Sequence, residues 1–457
     1  MTTYETRLAP APSSTAASHR RIVHVPRRFA ADHWGGTETV VLKLCHQQRK
    51  AGYDPVVMTS NALNTQNKEC YDDVPVRRFS YCYPYLRLSD KKKHLLDQKG
   101  GNLLSFSLFY ALATEGDVRL FHAHSLMRLG GMVRTAAKMQ KKPFVVSLHG
   151  GAFDGLTKGR KAKGNPNEGS FDWGRLFDWF LRARHVLNHA DMVICMSDQE
   201  RQIALRNLNH DRIVTLPHGV DAARFTKGDG ESFREYHRIP PDAFMVLNVG
   251  RIEAQKNQML LLEAFVQLRR HVPDAHLVFI GPLAQPDYAA LMAGYITTHH
   301  LRGCVRILPG LAPDDPMLEN AYNATDVFAL PSSHEPSGTV MLEAWCAGRS
   351  VVVNKVGCLG SMVSENETGL FIDTEQSNPA RQLATKLALL AADEVLRDKL
   401  GNAGREEAIA KYDWSRIHLL LEQVYRKAEE NAARRYGRVK ETHPLPAQGE
   451  AYAAGAT

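Results

Sequence analysis

The chain has 457 residues, of which 44% are apolar and 23% are charged, and its formal net charge is +8. This length is too great for one ordinary hydrophobic core and predicts two domains of roughly 200 residues each, in the composition range of soluble globular proteins. No apolar run approaches the ~18 residues of a membrane-spanning helix. The seven scattered cysteines, none in a C-x-x-C pair, favour reduced thiols in the cytosol over a disulfide framework or a zinc site.

Positive charge is concentrated in the first half of the chain. Up to Pro217 there are 32 lysines and arginines against 19 acidic residues, whereas the remainder holds 25 against 30. The densest basic runs are Lys91–Lys93 and Lys158–Lys163. Such runs are typical of solvated loops or of a surface that meets an anionic partner. An anionic membrane surface fits better than nucleic acid, because the sequence has no zinc finger, aromatic–basic RNA motif or bZIP-like region.

The first 19 residues are polar, small and proline-containing, which predicts a disordered tail rather than a signal peptide. A first series of short β-rich runs then alternates with helical stretches such as Glu38–Lys50. The strands of this series are predicted at Ile22–Val25, Val56–Thr59, Leu120–His122, Phe144–Leu148 and Met192–Cys195.

The alternation starts again after the turn residues Pro217–Asp221, with helices such as Asn257–His271 and Thr339–Ala347. From about Asn378 to about Asn431 the chain is predicted to be mostly helical. The strands of the second series are predicted at Met245–Val249, His276–Ile280, Val305–Leu308, Val327–Leu330 and Val351–Asn354.

Two such series predict an α/β fold with two Rossmann-like parallel-sheet domains facing each other across a cleft. We expect a first domain over residues 20–216 and a second over 217–410. A helix over 411–431 is expected to pack back on the first domain, and 432–457 to form a second disordered tail.

The run Gly250–Asn257 lies between a predicted strand and a predicted helix. It places the cations of Arg251 and Lys256 beside a helix N-terminus, where phosphates bind well. The planar fork of arginine and the point charge of lysine can together neutralise a diphosphate. The same spacing is also common on protein surfaces, so this motif alone is not specific.

A second motif has two carboxylates eight residues apart, Glu335 and Glu343. Glu335 precedes a predicted helix and Glu343 lies about two turns inside it, so they reach different parts of an extended ligand. Gly338 permits close backbone approach, and the N–H groups of Thr339 and Val340 can hold a phosphate. An acidic cap with a solvated helical glutamate is the simpler explanation, but the upstream Arg/Lys run favours a ligand site.

With these motifs in this order, the chain resembles the GT-B, family-4-type retaining glycosyltransferases from about Arg21 to about Arg426. Three further segments carry the resemblance, namely Gly35–Glu38, Ser147–Gly150 and His218–Asp221. The resemblance implies that residues 20–216 bind the acceptor and that 217–410 bind a nucleotide sugar.

The resemblance also implies roles for individual residues. Those expected in catalysis are Arg251, Lys256, Glu335 and His149. Those expected to bind the donor are Gly35, Gly36, Arg251, Lys256, Leu311, Glu335, Gly338, Thr339, Val340 and Glu343. Within this set Arg251 and Lys256 would hold the diphosphate, His149 and Glu335 would contact the sugar, Glu343 would bond the ribose hydroxyls and Leu311 would pack against the base.

Two positions depart from the family pattern. Asn257 stands where a glycine is frequent, and Pro336-Ser337 replaces a commoner aromatic–glycine pair. Neither position carries charge, so the second departure bears mainly on the identity of the donor sugar.

The sequence favours a reaction without a metal or other cofactor. It contains no Asp-x-Asp, and the only adjacent acidic pairs near a turn are Asp72-Asp73 and Asp314-Asp315. His122 and His124 share one strand face, but we interpret them as structural because no third ligand is evident. Glu38 fits ligand contact and a helix N-terminus capped by Thr37 equally well.

The resemblance implies transfer of a hexosyl group from a UDP-, GDP- or ADP-linked sugar to a saccharide or lipid-linked acceptor. It further implies a role in cell-surface polysaccharide or glycolipid assembly, in the cytoplasm or at the inner membrane face. The alternatives are a nucleotide-sugar epimerase and a non-catalytic sugar-binding protein. Tyr81, Tyr83 and Tyr85 fit either an acceptor site or a buried aromatic cluster.

Overall fold

The computed structural model of the chain describes residues 20–30, 34–64, 66–150, 171–312 and 315–437, except the side chain of Lys99. Both predicted terminal tails, apart from 432–437, lie outside the described residues, as do the basic run Lys158–Lys163 and Asp314. Within the described residues, no helix is both long and apolar enough to cross a membrane.

The first sheet has eight strands among the described residues, in the order β3-β4-β2-β1-β5-β6-β7-β8. All neighbouring pairs are parallel except β3 and β4. The strands are β1 Arg21–Val25, β2 Asp54–Ser60, β3 Lys68–Tyr71, β4 Val74–Phe79, β5 Val118–Ala123, β6 Phe144–Ser147, β7 Met192–Cys195 and β8 Ile213–Thr215.

The second sheet is entirely parallel, with six described strands in the order β11-β10-β9-β12-β13-β14. These strands are β9 Met245–Val249, β10 His276–Ile280, β11 Val305–Leu308, β12 Val327–Leu330, β13 Ser350–Asn354 and β14 Leu370–Ile372. The predicted fold class of two Rossmann-like parallel-sheet units is confirmed.

Helices connect the strands and cover both faces of each sheet, which is why the central strands are buried along their whole length. In chain order the helices are α1 Gly36–Lys50, α2 Asp90–Lys99, α3 Phe106–Thr114, α4 Met127–Gln140, α5 Arg175–Phe180, α6 Asp198–Asn207, α7 Ala222–Phe225, α8 Gly230–Tyr236, α9 Gln258–Leu268, α10 Pro286–Thr298, α11 Pro316–Ala324, α12 Thr339–Cys346, α13 Leu359–Met362, α14 Pro379–Ala392, α15 Glu394–Glu407 and α16 Trp414–Arg435.

Helix α16 follows the second sheet in the chain but packs on the first. Its apolar side chains Ile417, Leu421 and Tyr425 share a buried cluster with Ile22 and Leu120 of the first sheet. Arg119 of β5 adds ion pairs to two glutamates of this helix, at 2.6 Å to Glu422 and 2.8 Å to Glu429. The helix therefore fastens the end of the second unit to the first unit.

Most differences from the predicted elements lie at their ends. The ten predicted strands are present, and β3, β4, β8 and β14 were missed. Helix α1 begins at Gly36, so Thr37 lies inside it and the prediction of Thr37 as its cap is wrong; the N-cap is Gly35. Helix α16 continues to Arg435, so the prediction that disorder begins at 432 is wrong there.

Candidate active site

Two loops of the second unit meet at one sheet edge, because the parallel neighbours β9 and β12 both end there. The first is the run Gly250–Asn257, and the second leads from β12 to α12. Hydrogen bonds join them: the Gln255 side-chain amide donates to the His334 carbonyl at 3.2 Å, and the Ser333 N–H donates to the Gln255 carbonyl at 2.9 Å. The two sequence motifs therefore form one surface.

An ion pair at the centre of this surface joins the motifs. Lys256 Nζ lies 2.6 Å from Glu335 Oε2, and these side chains are only 12% and 4% exposed. Glu335 also accepts hydrogen bonds from the Ser332 hydroxyl at 3.3 Å and from the Gly338 N–H at 3.4 Å. Both carboxylate oxygens of Glu335 are thus held by groups of its own unit.

Arg251 differs from Lys256 in that its side chain is 58% exposed. Its Nη2 atom lies 2.7 Å from Glu253 Oε1, in its own loop. The exposed cation of Arg251 and the buried cation of Lys256 therefore follow the same strand, an arrangement suited to an anion arriving from solvent.

Helix α12 begins where the second loop ends, at Gly338. This glycine has a φ of +62°, and a Cβ atom there would lie 3.2 Å from both Cys358 Sγ and Leu359 Cδ2. The first bonds of the helix run from the N–H groups of Met341 and Leu342 to the Gly338 carbonyl. The amides of Thr339 and Val340 precede those bonds, as expected of an anion-binding helix start.

Glu343 lies further along α12 and is partly buried. Its Oε2 atom accepts a hydrogen bond from the Tyr322 hydroxyl at 2.7 Å. Burial of the carboxyl raises the pKa of Glu343 to about 7, against the opposing effects of Tyr322 and Arg224. Leu311 and Val340 pack on the same apolar cluster as Tyr322. Tyr322 lies in none of the sequence motifs and was therefore not predicted as a site residue.

In the first unit, His149 and Gly150 lie just after the end of β6 and next to the second loop. Gly150 has a φ of +82°, and a Cβ atom there would lie 2.4 Å from Pro336 Cβ, next to Glu335. This contact brings the predicted His149 segment and the predicted Glu335 segment together. It also requires glycine at 150, since neither the backbone conformation nor the space admits a side chain.

His149 is partly buried and contacts two buried imidazoles, those of His124 and His218. Its Nε2 atom lies 2.9 Å from His124 Nδ1, and its Nδ1 atom lies 3.4 Å from His218 Nε2. Burial lowers the pKa of His149 to about 4 and that of His218 to about 3. At neutral pH these rings are uncharged and act as hydrogen-bonding groups.

His24 of β1 is the residue of this cluster that sequence reasoning missed. It pairs in register with His122 of β5, and a ring nitrogen of each of His24, His122 and His124 lies within 4.8 Å of the others. A third imidazole therefore lies beside His122 and His124, which the sequence did not make evident. It comes from the neighbouring parallel strand, about 100 residues away in the chain. The prediction that His122 and His124 are structural stays a prediction.

The remaining predicted positions lie in the first unit. Gly35 and Gly36 form the start of α1, and Glu38 is 5% exposed with Oε1 3.1 Å from Arg28 Nε. Tyr81 and Tyr83 both donate to Asp97 Oδ1, at 2.6 and 2.9 Å. This arrangement favours the buried aromatic cluster over an acceptor site for these two tyrosines.

Comparison with known proteins agrees with this architecture. Residues 34–224 match the family model for glycosyltransferase family 4, and residues 229–407 match the model for glycosyl transferases group 1. The D-inositol 3-phosphate glycosyltransferase of Kineococcus radiotolerans is 28% identical over 88% of this chain and 93% of its own length. D-inositol 3-phosphate glycosyltransferase 1 of Catenulispora acidiphila is 30% identical over 70% of this chain and 74% of its own length.

Among solved structures, Anabaena Alr3699/HepE in complex with UDP and glucose superposes with a TM-score of 0.66 at 17% identity, covering 89% of this chain and 99% of that one. This likeness shows the fold, and it agrees with the expected GT-B arrangement. The matched relatives and both family models describe enzymes that transfer glycosyl groups. The chain therefore belongs to the family-4-type, group 1 glycosyltransferases and is itself a glycosyltransferase.

Proposed function

We propose that this enzyme transfers a hexosyl group from a nucleotide diphosphate sugar to a saccharide or lipid-linked acceptor. The observation that carries the proposal is the joined surface of the second unit, where the Lys256–Glu335 pair, Arg251 and the start of α12 lie opposite His149. Residues 217–410 would bind the donor and residues 20–216 the acceptor. The cations and the helix amides would receive the diphosphate, and Glu343 with Leu311 would meet the nucleoside.

In the reaction, the leaving diphosphate gains charge as the glycosidic bond breaks. Arg251, Lys256 and the amides of Thr339 and Val340 supply fixed positive charge at that point, which is the form of catalysis that contributes most in such sites. These groups support a reaction that needs no metal ion. Chelator-treated enzyme is expected to keep its activity, and restoration of lost activity by Mg²⁺ or Mn²⁺ would contradict this step.

We further propose retention of configuration by attack on the same face from which the diphosphate leaves, with a phosphate oxygen accepting the acceptor's proton. Glu335 supports this route, because hydrogen bonds from its own unit hold both of its oxygens and favour a positioning role over a nucleophilic one. Isolation of a covalent glycosyl adduct on Glu335 would overturn it.

The decisive experiment screens UDP-, GDP- and ADP-sugars by thermal shift in chelator, starting with UDP-glucose because a structural neighbour was solved with UDP and glucose. A ligand at about 100 times its Kd adds ~2.7 kcal/mol of stability. Release of free nucleotide in the presence of acceptor is the expected reaction. Conversion of the donor to an isomer would indicate an epimerase, and binding without turnover would indicate a non-catalytic protein.

The acceptor is proposed to enter beside the first unit's strand ends. A cavity of about 530 Å³ lies there, lined by Arg27 after β1, by Ser125 and Met127 after β5, and by Tyr85 and Asp172. Its mixed polar and aromatic lining suits a sugar or cyclitol. D-inositol 3-phosphate, named for the matched relatives, is the first acceptor to test. A polyprenyl-linked sugar is the second, in keeping with a role in cell-surface polysaccharide or glycolipid assembly.

We also propose that the enzyme works in the cytoplasm at an anionic membrane face. The seven cysteines are all free, in keeping with a reducing compartment. Residues 171–185, here called the aromatic–arginine surface, present Phe171, Leu176, Trp179 and Phe180 with 65% to 79% of each exposed. The same surface exposes Arg175, Arg182 and Arg184. Exposed aromatics beside arginines match an anionic lipid interface.

The acidic residues of this surface do not oppose such binding. Asp172 and Asp178 both pair with the buried guanidinium of Arg128, at 2.7 Å, which also anchors the segment. The wild type is expected to co-sediment with phosphatidylglycerol vesicles, whereas a Trp179→Ala/Arg182→Ala variant is expected to stay in the supernatant. The exposed Leu291→Ala variant of the second unit is the control. Equal binding to phosphatidylcholine vesicles, or self-association through this surface, would contradict the proposal.

A further inference from the structure

The cavity of about 530 Å³ proposed for the acceptor, here called the acceptor cavity, has an excess of positive charge. Its lining contains two carboxylates, Asp172 and Asp178, and both pair with the fully buried guanidinium of Arg128 at 2.7 Å. The lining also contains three further guanidiniums, those of Arg27, Arg175 and Arg184. Because four cations accompany two anions, the cavity favours a ligand that brings negative charge.

Arg27 is the cation of this lining whose charge the structure leaves unbalanced. It follows β1 and is partly buried. Its Nη2 atom donates to the Asp97 carbonyl at 2.9 Å and its Nη1 atom to the Leu96 carbonyl at 3.3 Å, which holds the guanidinium against the end of α2. Across the described ranges of the chain, no carboxylate lies within ion-pair distance of it, and burial lowers the pKa of Arg27. A partly buried cation without a counter-ion is unfavourable until a ligand supplies the anion.

The next residue, Arg28, shows what a purely structural arginine looks like here. It donates to the same helix end, at 2.9 Å to the Gln98 carbonyl and 3.3 Å to the Asp97 carbonyl. Its Nε atom lies 3.1 Å from the buried carboxylate of Glu38, so its charge is balanced. Both arginines suit the negative end of α2. Only Arg27 lines the acceptor cavity, and only Arg28 has a carboxylate partner.

Two neutral groups of the lining add hydrogen-bond donors to the charge of Arg27. The Ser125 hydroxyl is buried and has no hydrogen-bond partner among the residues that the structure describes. The Asn102 side-chain oxygen accepts from the Arg128 N–H at 3.0 Å, which leaves the NH₂ group of that amide as a donor. The groups that a ligand can use on this wall therefore donate hydrogen bonds.

The carboxylates of the lining, by contrast, are already engaged. Both oxygens of Asp172 accept from Arg128, at 2.8 and 2.7 Å, and both oxygens of Asp178 do so at 2.7 and 3.3 Å. A neutral sugar needs acceptors for its hydroxyl protons, whereas a phosphate oxygen only accepts. The excess of two positive charges also matches a phosphate monoester, which carries about −1.5 to −2 charges at neutral pH, better than a single carboxylate.

The acceptor cavity adjoins the neutral imidazoles of the first unit. Ser125 follows His124, and His124 Nδ1 lies 2.9 Å from His149 Nε2. The cavity is thus separate from Lys256 and Glu335, which belong to the second unit. An anion bound by Arg27 would therefore belong to the acceptor and not to the donor diphosphate.

We propose that the acceptor of this enzyme carries a phosphate group, and that Arg27 is the specificity-determining residue that receives this group, with the Ser125 hydroxyl and the Asn102 amide donating to the same oxygens. This inference rests on the proposed function for the identity of the cavity as the acceptor site. It narrows the acceptor to phosphorylated molecules, whether a free cyclitol or sugar phosphate or a phosphate-linked lipid, and it excludes neutral saccharides.

The first test uses inorganic phosphate as the probe and needs no acceptor. The full chain is labelled with ¹⁵N-arginine, and the Nε–H signal of Arg27 is assigned from its loss in Arg27→Gln, which removes the charge but keeps an amide donor for the α2 carbonyls. Phosphate is expected to shift the Arg27 signal saturably and to leave the signal of Arg28 in place. An Arg27 signal that stays unchanged while phosphate shifts other arginines would overturn the proposal.

The second test measures kcat/KM with matched acceptors. D-inositol 3-phosphate is compared with myo-inositol, and a polyprenyl-diphosphate-linked sugar in phosphatidylcholine vesicles is compared with the same sugar free in solution. The wild type is expected to prefer the phosphorylated member of one pair by roughly tenfold or more, as for a charge-assisted hydrogen bond. The pair that shows the preference identifies a soluble or a lipid-linked source.

Arg27→Gln is expected to abolish that preference, whereas the matched control Arg28→Gln keeps it. The thermal shift caused by the nucleotide alone should stay unchanged in Arg27→Gln, because the second unit holds the diphosphate. Equal use of neutral and phosphorylated acceptors by the wild type, or an Arg27→Gln variant that keeps the preference, would overturn the proposal. If the wild type neither binds nor consumes any nucleotide sugar, the proposed function fails, and the phosphate titration still decides whether Arg27 receives a phosphate.

Discussion

The two sheet edges that form the candidate site carry different kinds of side chain, charged in the second unit and neutral in the first. The second unit brings formal charges together, with Lys256 and Glu335 paired at 2.6 Å and Arg251 exposed beside them. The first unit brings neutral imidazoles together, joined by hydrogen bonds of 2.9 Å and depleted of charge by burial. A charged edge suits a diphosphate, and a neutral edge suits hydroxyl groups. The contrast also predicts opposite responses to pH and different costs of mutation.

The largest effect is expected from acid acting on the imidazole edge. Burial lowers the pKa of His24 and His149 to about 4 and that of His218 to about 3. Because the pKa of each ring is lowered in the folded protein, its neutral form stabilises the fold fully above the ordinary pKa of 6.5. That stabilisation is lost as the pH falls toward 4. By linkage, each of the three rings lowers the free energy of unfolding at pH 5 by about 2 kcal/mol, and the three together lower it by on the order of 5 kcal/mol.

Urea unfolding of the full chain at pH 7 and pH 5 measures this loss. His24→Gln is expected to show a smaller difference between the two pH values than the wild type, whereas replacement of the exposed His271 should change nothing. A wild-type midpoint that stays constant between pH 7 and 5 would show that these rings are not buried as neutral groups.

The charged edge should be most sensitive to loss of one partner of its buried pair. Lys256→Met leaves the Glu335 carboxylate buried without its cation, which costs about 3–5 kcal/mol of unfolding free energy. The double variant Lys256→Met/Glu335→Leu should recover most of that loss and remain inactive. Chemical denaturation checks both. The more exposed Lys386–Glu365 pair is the control, since Lys386→Met should cost no more than about 1 kcal/mol.

Replacement of Arg251, at the same edge, is expected to reduce turnover without changing stability. Because its side chain is 58% exposed, Arg251→Ala should leave the unfolding free energy unchanged within about 0.5 kcal/mol. Turnover should fall by roughly 10²-fold or more, by analogy with loss of one oxyanion donor. Steady-state kinetics with saturating acceptor measure this, with exposed Arg302→Ala as the control. Turnover within threefold of wild type would remove Arg251 from the mechanism.

Glu343 should show the opposite pH response to the histidines. Its folded pKa is raised from 4.5 to about 7 by burial, so its protonated form stabilises the fold. That contribution is complete below about pH 4.5 and is lost as pH rises through 7. We expect on the order of 2 kcal/mol, discounted because the carboxyl is partly exposed. The stability difference between wild type and Glu343→Gln should therefore change sign or size between pH 5 and 8; a constant difference would contradict the raised pKa.

Much of the fold could be predicted because buried parallel strands are continuous apolar runs, as in Met245–Val249 and Val327–Leu330. The missed pair β3 and β4 forms a hairpin at the sheet edge, with alternating rather than continuous apolar residues. Its turn is Asp72-Asp73, where both residues have positive φ. Two acidic residues between alternating runs were a usable hairpin signal.

The two edges differ in how far the sequence could determine them. Lys256 and Glu335 lie in local motifs beside strand ends, so their placement at one edge followed from the strand pattern. The contacts of His24 with Gln48 and His124 depend on β1 lying next to β5, with His24 in register with His122. Strand order is set by packing of whole elements, and no local pattern around His24 or Gln48 indicates it.

The smallest expected effect concerns Asn257, which joins the two loops of the charged edge. Its φ is +56°, which explains why glycine is frequent at this place and why asparagine is tolerated there. Its side-chain amide also donates to the Pro331 carbonyl at 3.3 Å. Asn257→Gly removes only that bond, and Asn257→Ala removes the bond and adds backbone strain of about 1 kcal/mol.

The difference between the two variants therefore isolates strain in the loop that carries Lys256. If the charged edge requires this loop conformation, Asn257→Ala should weaken nucleotide binding several-fold more than Asn257→Gly, measured by titration calorimetry. Asn366, with a φ of 62° in a turn of the second unit, provides the matched control. Asn366→Ala should cost similar stability and leave nucleotide affinity unchanged. Equal affinity of Asn257→Ala and Asn257→Gly would mean that the cations of this edge do not depend on the left-handed turn at 257.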